Sequence, residues 1–386
     1  MKIYLIAGEL SGDKLGASLM QGLKALYPGE IDFNGVGGPL MEAEGLDSQF
    51  PMQELSVMGI AEVLPKYFHL KRRIRECAEA VQALQPDVLI TIDSPDFCLR
   101  VAKLVKAATN IRTVHYVAPS VWAWRPGRAS KMAKHIDQVL ALLPFEPPYM
   151  EAAGMRCDFV GHPVVSEPVA SNVEAEEFRA AQGLGDAPLA LILPGSRESE
   201  VTRLLPIFVS AMKALQEARP DLRFVLPTTT PVAEMVRSAV ADMAEPPVVL
   251  DPTGQNLDVY AAQKRAAFKA ADVALAASGT VSLELAAAET PMVIAYDVSP
   301  ISRVIFKRML KIDTVTLANL ITDTRIVPEH LAENCTVENI VPSVLDVLEK
   351  PETQLQVVRD TMAKLGKGGE DPGLRAAKAV LDGLGM

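Results

Sequence analysis

The chain has 386 residues, of which 49% are hydrophobic and 22% charged; at roughly 150 residues per domain this predicts two large domains and excludes wholesale disorder. A formal net charge of −10 excludes nucleic-acid binding through a global positive field, leaving room only for a local basic patch. The cysteines at 77, 98, 157 and 335 are too far apart for a C-x-x-C pair and no window approaches eighteen uninterrupted apolar residues, so reduced buried thiols and a cytoplasmic chain without a spanning segment are expected.

In chain order, short β-branched runs ending in Gly, Asp, Ser or Pro predict strands at 2–8, 31–37, 87–93, 111–118, 137–143 and 157–161. Segments between them, such as LGASLMQGLKALY and LRVAKLVKAA, carry apolar residues at three- and four-residue spacing. Strand alternating with helix predicts a parallel sheet covered on both faces. Pro163, Pro168, Ser171 and Asn172 interrupt the periodicity and place a boundary near 163–175. The pattern restarts with strands at 189–195, 222–228, 248–250, 271–278 and 291–296. The helix after 189–195 carries a core-packing stripe of Val201, Leu204, Leu205, Phe208, Met212 and Leu215.

The expected fold class is therefore α/β, with two doubly wound Rossmann-like domains at 1–165 and 166–349. The tail 350–386 has a glycine hinge at Gly366, Gly368 and Gly369, from which it can rejoin the first domain or exchange between the subunits of a homodimer. Open sheets bind ligands outside the carboxyl ends of their strands. If those ends face each other, the active site is an interdomain cleft.

The strand ends carry the candidate chemistry. After the first strand, AGELSGDKLGASL surrounds a tight turn with Gly8, Gly12 and Gly16, and Ser11 or Asp13 can cap the following helix. Such a turn lets a ligand approach free N–H groups, although a purely structural turn explains the same glycines. The segment 56–75 has five basic residues against one acidic, a local charge of +4, interleaved with Met58, Leu64 and Phe68. It reads either as a membrane-surface contact, with Lys66, Arg72 and Arg73 among its bases, or as an amphipathic helix with a solvated basic face. DVLITID delivers Asp93 to a strand end, where it can act as a general base toward a hydroxyl or serve as a cap. HYVAPSVWAWRPGR places His115 on a strand and brings Trp122 and Trp124 together, as a ligand platform or as core aromatics.

In the second half, LILPGSRESEV sets Arg197 at a strand-to-helix turn, a combination suited to a pyrophosphate. ASGTVSLE gives Ser278, Gly279 and Thr280 before a helix carrying Glu284. The N–H groups there can hold phosphate and the carboxylate a ribose diol, while ordinary capping explains the same string. No Asp-x-Asp pair and no His and Cys cluster with ligand spacing occurs, so no metal or other cofactor is expected.

Ten strings, AGELSGDKLGA, GVGGPLMEAEGL, SVMGIAEVLP, IDSPDF, HYVAPSVWAWRPGR, LLPFE, FVGHP, LPGSRESEV, ASGTVSLE and LANLI, together resemble the lipid-A-disaccharide synthase family from residue 5 to about 321. The resemblance implies an inverting GT-B glycosyltransferase that works without a metal. It would transfer 2,3-diacylglucosamine from its UDP-activated form to the 6-hydroxyl of 2,3-diacylglucosamine 1-phosphate, giving the β-1,6-linked lipid A disaccharide 1-phosphate and UDP. It further implies Asp93 as the base and Glu9, Ser11, His115 and Trp122 on the acceptor side. Arg197, Asn319, Ser278, Gly279, Thr280 and Glu284 fall on the UDP side. Leu10, Ser94 and Ala318 stand where the family commonly has Ala, Ala and Pro. Acylated substrates give the segment 56–75 a reason to meet the inner-membrane surface, so peripheral attachment of a cytoplasmic enzyme is expected. Two other readings are a UDP-sugar epimerase, which needs no acceptor, and a non-catalytic nucleotide-sugar binding protein.

Overall fold

The computed structural model describes residues 1–55, 60–122, 127–298 and 312–386, with the side chains of 60–66 set aside. The chain divides into two compact units, Met1–Ser166 together with Leu365–Met386, and Glu167–Lys364.

The first unit is built on seven parallel strands: β1 (Lys2–Ala7), β2 (Asp32–Val36), β3 (Asp47–Ser48), β4 (Val88–Ile92), β5 (Arg112–Tyr116), β6 (Gln138–Ala141) and β7 (Arg156–Phe159). Their order is β3-β2-β1-β4-β5-β6-β7, so the winding reverses between β1 and β4. Every residue of β4 is buried, as expected of a strand covered on both faces. The covering helices are α1 (Leu10–Leu26), α2 (Pro39–Ala43), α3 (Ile60–Leu84), α4 (Pro95–Ala108), α5 (Gly127–Met132) and α6 (Pro147–Glu151).

The second unit opens with α7 (Asn172–Ala181), whose start is a capping box: the Ser171 hydroxyl accepts the Glu174 N–H and Glu174 accepts the Ser171 N–H. Ser171 and Asn172, which read in the sequence as loop punctuation, thus begin a helix. There follow β8 (Leu189–Leu193), α8 (Glu198–Ala218), β9 (Arg223–Pro227), α9 (Ala233–Val240), β10 (Val248–Leu250), α10 (Leu257–Ala270), β11 (Val273–Ala276), α11 (Val281–Ala288) and β12 (Met292–Tyr296). Next come α12 (Leu317–Thr322), β13 (Glu329–Leu331), α13 (Val337–Glu349) and α14 (Glu352–Leu365). The sheet order is β10-β9-β8-β11-β12-β13, with its reversal between β8 and β11. The stripe on α8 is buried as its spacing requires.

The last helix, α15 (Pro372–Leu384), packs on α1 in the first unit. Gly22 and Gly373 meet so closely that a Cβ on Gly22 would lie 2.7 Å from the Gly373 carbonyl oxygen. The Gln138 amide donates to the Ala379 carbonyl at 2.8 Å and Arg156 pairs with Asp382 at 2.7 Å. Among the described residues, no helix is long and apolar enough to cross a membrane.

Candidate active site

Both sheets carry their candidate residues at the reversal of strand order, where adjacent connections leave in opposite directions and open a crevice. In the first unit, the β1–α1 turn meets the β4–α4 turn: a Cβ on Gly8 would lie 2.4 Å from Ser94 Oγ. Only a glycine admits that approach. Glu9 is the N-cap residue of α1 without a side-chain cap bond, Ser11 is exposed, and Leu10 is 74% exposed. Asp13, a capping candidate for α1, has a different task. It is buried and accepts N–H bonds from Gly38, Leu40 and Met41 at 2.9, 3.0 and 3.0 Å, and so caps α2 across the turn.

Asp93 follows β4 with φ 51°, and Ser94 follows it with φ 41°. The Asp93 N–H donates to the Tyr116 carbonyl at 2.9 Å, extending the ladder to β5. Ser94, not Asp93, holds the N-cap position of α4, and its side chain makes no cap bond. The Asp93 carboxyl is therefore not engaged as the helix cap. Burial pushes it above the usual carboxylate range, opposed in part by the Ser94 N–H. On the neighbouring strand end Val117 has φ 80°, an uncommon conformation for a β-branched residue. Backbone strain of this kind gathers at functional sites.

His115 is placed beneath this surface. It is 1% exposed, with Nδ1 2.8 Å from Thr91 Oγ1, and Nε2 has no partner among the described residues. Burial, with Arg128 nearby, pushes its pKa down to about 4 and keeps the ring neutral. Trp122 is half-buried and stands edge-on to Phe145, ring centroids 5.2 Å apart. Trp124 and Arg125 lie outside the described residues. Beside Phe145 the buried Glu146 accepts the Leu143 N–H at 3.0 Å. Burial pushes its carboxyl up to about 7, against the pull of that N–H and the Trp122 indole. No role for Glu146 was readable from the sequence, where it is simply the last residue of LLPFE.

The second unit has a cavity of about 470 Å³ lined by Ser196, Arg197, Tyr260, Lys264, Ser278 to Thr280 and Glu284, among others. Arg197 is the N-cap residue of α8 and its guanidinium donates to Glu200 Oε1 at 3.1 Å, an atom that also accepts from the Tyr296 hydroxyl at 3.3 Å. Gly195 has φ 118° and sits against Glu200, which lets the chain turn tightly beneath Arg197. At the head of α11 the N-cap residue Thr280 makes no side-chain cap bond, so its hydroxyl is not engaged in capping. The Glu284 Oε2 accepts from Lys264 Nζ at 2.7 Å.

Asn319 is not brought into this cavity. It is 1% exposed, its amide nitrogen donating to Thr314 Oγ1 and the Val327 carbonyl and its oxygen accepting the Val327 N–H at 3.0 Å. It closes the loop around α12 instead of lining the pocket.

Of the segment 56–75, Met58 lies outside the described residues, as do the side chains of Leu64 and Lys66. Phe68 is 81% exposed and lies edge-on to Tyr67, while Lys71, Arg72 and Arg75 are exposed on the same helix. Arg73 turns inward. It donates to both oxygens of Glu54 at 2.8 and 2.9 Å, pairs with Glu76, and stands over the Phe50 ring. Among the described residues no group of three His, Cys, Asp or Glu side chains is placed to hold a metal ion.

A family model described as lipid-A-disaccharide synthetase matches residues 3–373. The chain is 61% identical over 384 residues to the lipid-A-disaccharide synthase of Ruegeria pomeroyi, covering 100% of this chain and 96% of that protein. It is 46% identical over 385 residues to that of Rhodospirillum centenum, covering 98% and 94%. Among solved structures, the UDP-GlcNAc 2-epimerase of Neisseria meningitidis bound to UDP-GlcNAc superposes with a TM-score of 0.63 at 12% identity, over 100% of this chain and 99% of that one. The glycotransferase of kitacinnamycin gives 0.60 at 17%, over 99% and 98%. At such identities the likeness shows the fold, two Rossmann-like units of the GT-B kind.

Proposed function

The chain belongs to the lipid-A-disaccharide synthase family of glycosyltransferases, and on that premise we propose a division of the reaction between its two units. The reaction is transfer of 2,3-diacylglucosamine from UDP-2,3-diacylglucosamine to 2,3-diacylglucosamine 1-phosphate, forming the lipid A disaccharide 1-phosphate and UDP. The second unit takes the nucleotide. Its cavity joins a guanidinium, Arg197, to the head of α11, where the N-cap residue Thr280 makes no side-chain cap bond, and this combination is the observation that carries the assignment. Donors fixed before the reaction stabilise the charge that develops on a departing diphosphate. Glu284 receives the ribose. Asn319 acts at one remove, holding the loop around α12.

The first unit takes the acceptor. Asp93 removes the proton of the attacking 6-hydroxyl, and desolvation suits it to this task because a carboxylate raised above its usual range is a stronger base. Glu9 at the N-cap of α1 and Ser11 in its first turn bind the acceptor, Trp122 offers an apolar face, and His115 supports the strand end from below. The exposed face of α3 meets the membrane surface that holds the acylated substrates.

The test is mass spectrometry of the products formed from the donor with and without 2,3-diacylglucosamine 1-phosphate. Disaccharide and UDP should appear only when both are present. Consumption of the donor alone would favour an epimerase, and an unchanged donor with tight UDP binding would favour a non-catalytic binding protein.

A further inference from the structure

We infer that Lys264 is a positioning residue for the ribose of the donor, acting through Glu284. The inference rests on the assignment of Glu284 to the ribose. Lys264 belongs to none of the motif strings and lies on α10, a helix that none of them reaches.

Three side chains occur on one face of α10 at four-residue spacing: Tyr260, Lys264 and Phe268. Tyr260 and Lys264 line the cavity with Glu284, and Phe268 is buried below them. The Tyr260 hydroxyl donates to the Thr228 carbonyl, which ties α10 to the end of β9. Lys264 Nζ lies 2.7 Å from Glu284 Oε2 and 5.1 Å from the centroid of the Phe268 ring. A carboxylate on one side and an aromatic face on the other confine the ammonium group.

That confinement passes to Glu284. A free glutamate at a cavity wall samples several rotamers, and ordering it when a ligand binds weakens the hydrogen bond it finally makes. Lys264 orders it beforehand. By occupying Oε2 it also leaves Oε1 as the acceptor with a defined direction, so one carboxylate holds its lysine and still receives a hydroxyl of the diol.

The experiment compares calorimetric titrations of the full chain with UDP and with 2′,3′-dideoxy-UDP, for the parent, Lys264→Met, Lys264→Arg and Glu284→Gln. Lys264→Met should weaken UDP about tenfold, the scale of one charge-assisted hydrogen bond, and change dideoxy-UDP by less than about twofold. Lys264→Arg should restore the preference for UDP. Equal weakening of both nucleotides by Lys264→Met would mean that Lys264 serves the phosphates, and no weakening would mean that it serves nothing; either overturns the inference. Should Lys264→Met lose all binding through misfolding, Lys264→Gln takes its place: it should lower the preference for UDP, and an unchanged preference there overturns the inference. Glu284→Gln separates the two layers: an unchanged preference refutes the ribose assignment itself. A preference lost in Glu284→Gln but kept in Lys264→Met refutes only the role of Lys264.

Discussion

Asp93, Ser94 and Val117 adopt φ values of 51°, 41° and 80° at two adjacent strand ends, and each such residue costs about 1–3 kcal/mol. The ladder bonds from Asp93 to Tyr116 and from Val117 to Leu140 hold them there. Burial adds a second cost at Asp93. A carboxyl whose folded pKa lies above its unfolded value binds more protons folded than unfolded, so its contribution to stability falls as pH rises between the two values. Asp93→Asn should therefore raise the melting temperature at pH 8, and the gain should shrink as pH falls toward 4. The same substitution should lower turnover about 10²- to 10⁴-fold while donor binding persists. In the parent, kcat/KM should fall on the acid side at a pH above the ordinary aspartate range. Thermal melts at two pH values and turnover of the purified variant check this, and near-normal turnover would remove Asp93 as the base. The position of Asp93 was legible in the sequence because a polar residue closing an apolar run marks a strand end whatever its side chain does. The placement of His115 was not. Thr113 to Tyr116 of β5 are all buried, and a strand covered on both faces shows no alternation to say which side chain meets solvent. Asn319 was hidden for a related reason, since a buried amide satisfied at both ends and one facing a ligand have the same letter.

At the scale of an element, α3 shows what a charge count leaves out. Phe68, Lys71, Arg72 and Arg75 recur at helical spacing and are exposed, whereas Ile74, Cys77, Ala78 and Val81 are buried on the other side. Arg73 falls between the two and serves the fold: the Arg73 guanidinium, with burial opposing and His69 assisting, holds the Glu54 carboxyl down at about 2. Reversing Lys71, Arg72 and Arg75 to Glu should thus weaken binding to vesicles of anionic lipid at low salt, with little change in melting temperature. Arg73→Glu should instead lower the melting temperature, on the order of 5 °C, by leaving Glu54 facing a like charge. Equal sedimentation of the triple variant and the parent with vesicles would sink the membrane reading of this face. The two strands that periodicity missed, β3 and β13, follow the same logic at the sheet margins. Each closes an edge, and their residues, Asp47 and Ser48 or Glu329 to Leu331, are half-buried or exposed. An edge strand needs no apolar run, so nothing in its composition announces it.

For the whole molecule, the first unit is made from both ends of the chain. Its core includes Ala376, Ala377, Val380 and Leu381 of α15 beside Leu19, Met20 and Leu23 of α1. The interface is specific, because Gly22 and Gly373 allow a backbone approach that no side chain would permit. Arg375 adds a hydrogen bond of 2.7 Å to the Phe159 carbonyl and lies over that residue's ring. The second unit has its own core around α8 and β8 to β12. Deleting the residues after Leu365 should therefore destabilise the first unit, since it exposes the packed face of α1 and removes one hydrogen-bond partner each from Gln138, Phe159 and Arg156. UDP should act on the other unit. A ligand at one hundred times its Kd adds about 2.7 kcal/mol to the state that binds it, which for a unit of this size raises the melting temperature by roughly 5–10 °C. Calorimetry of the full and shortened chains, each with and without UDP, separates the two effects: the deletion should depress a transition that UDP leaves alone, and the UDP-responsive transition should survive the deletion. If the transition lost on deletion is the one that UDP raises, the nucleotide belongs to the first unit, and the assignment of Arg197 and the head of α11 to the diphosphate falls with it.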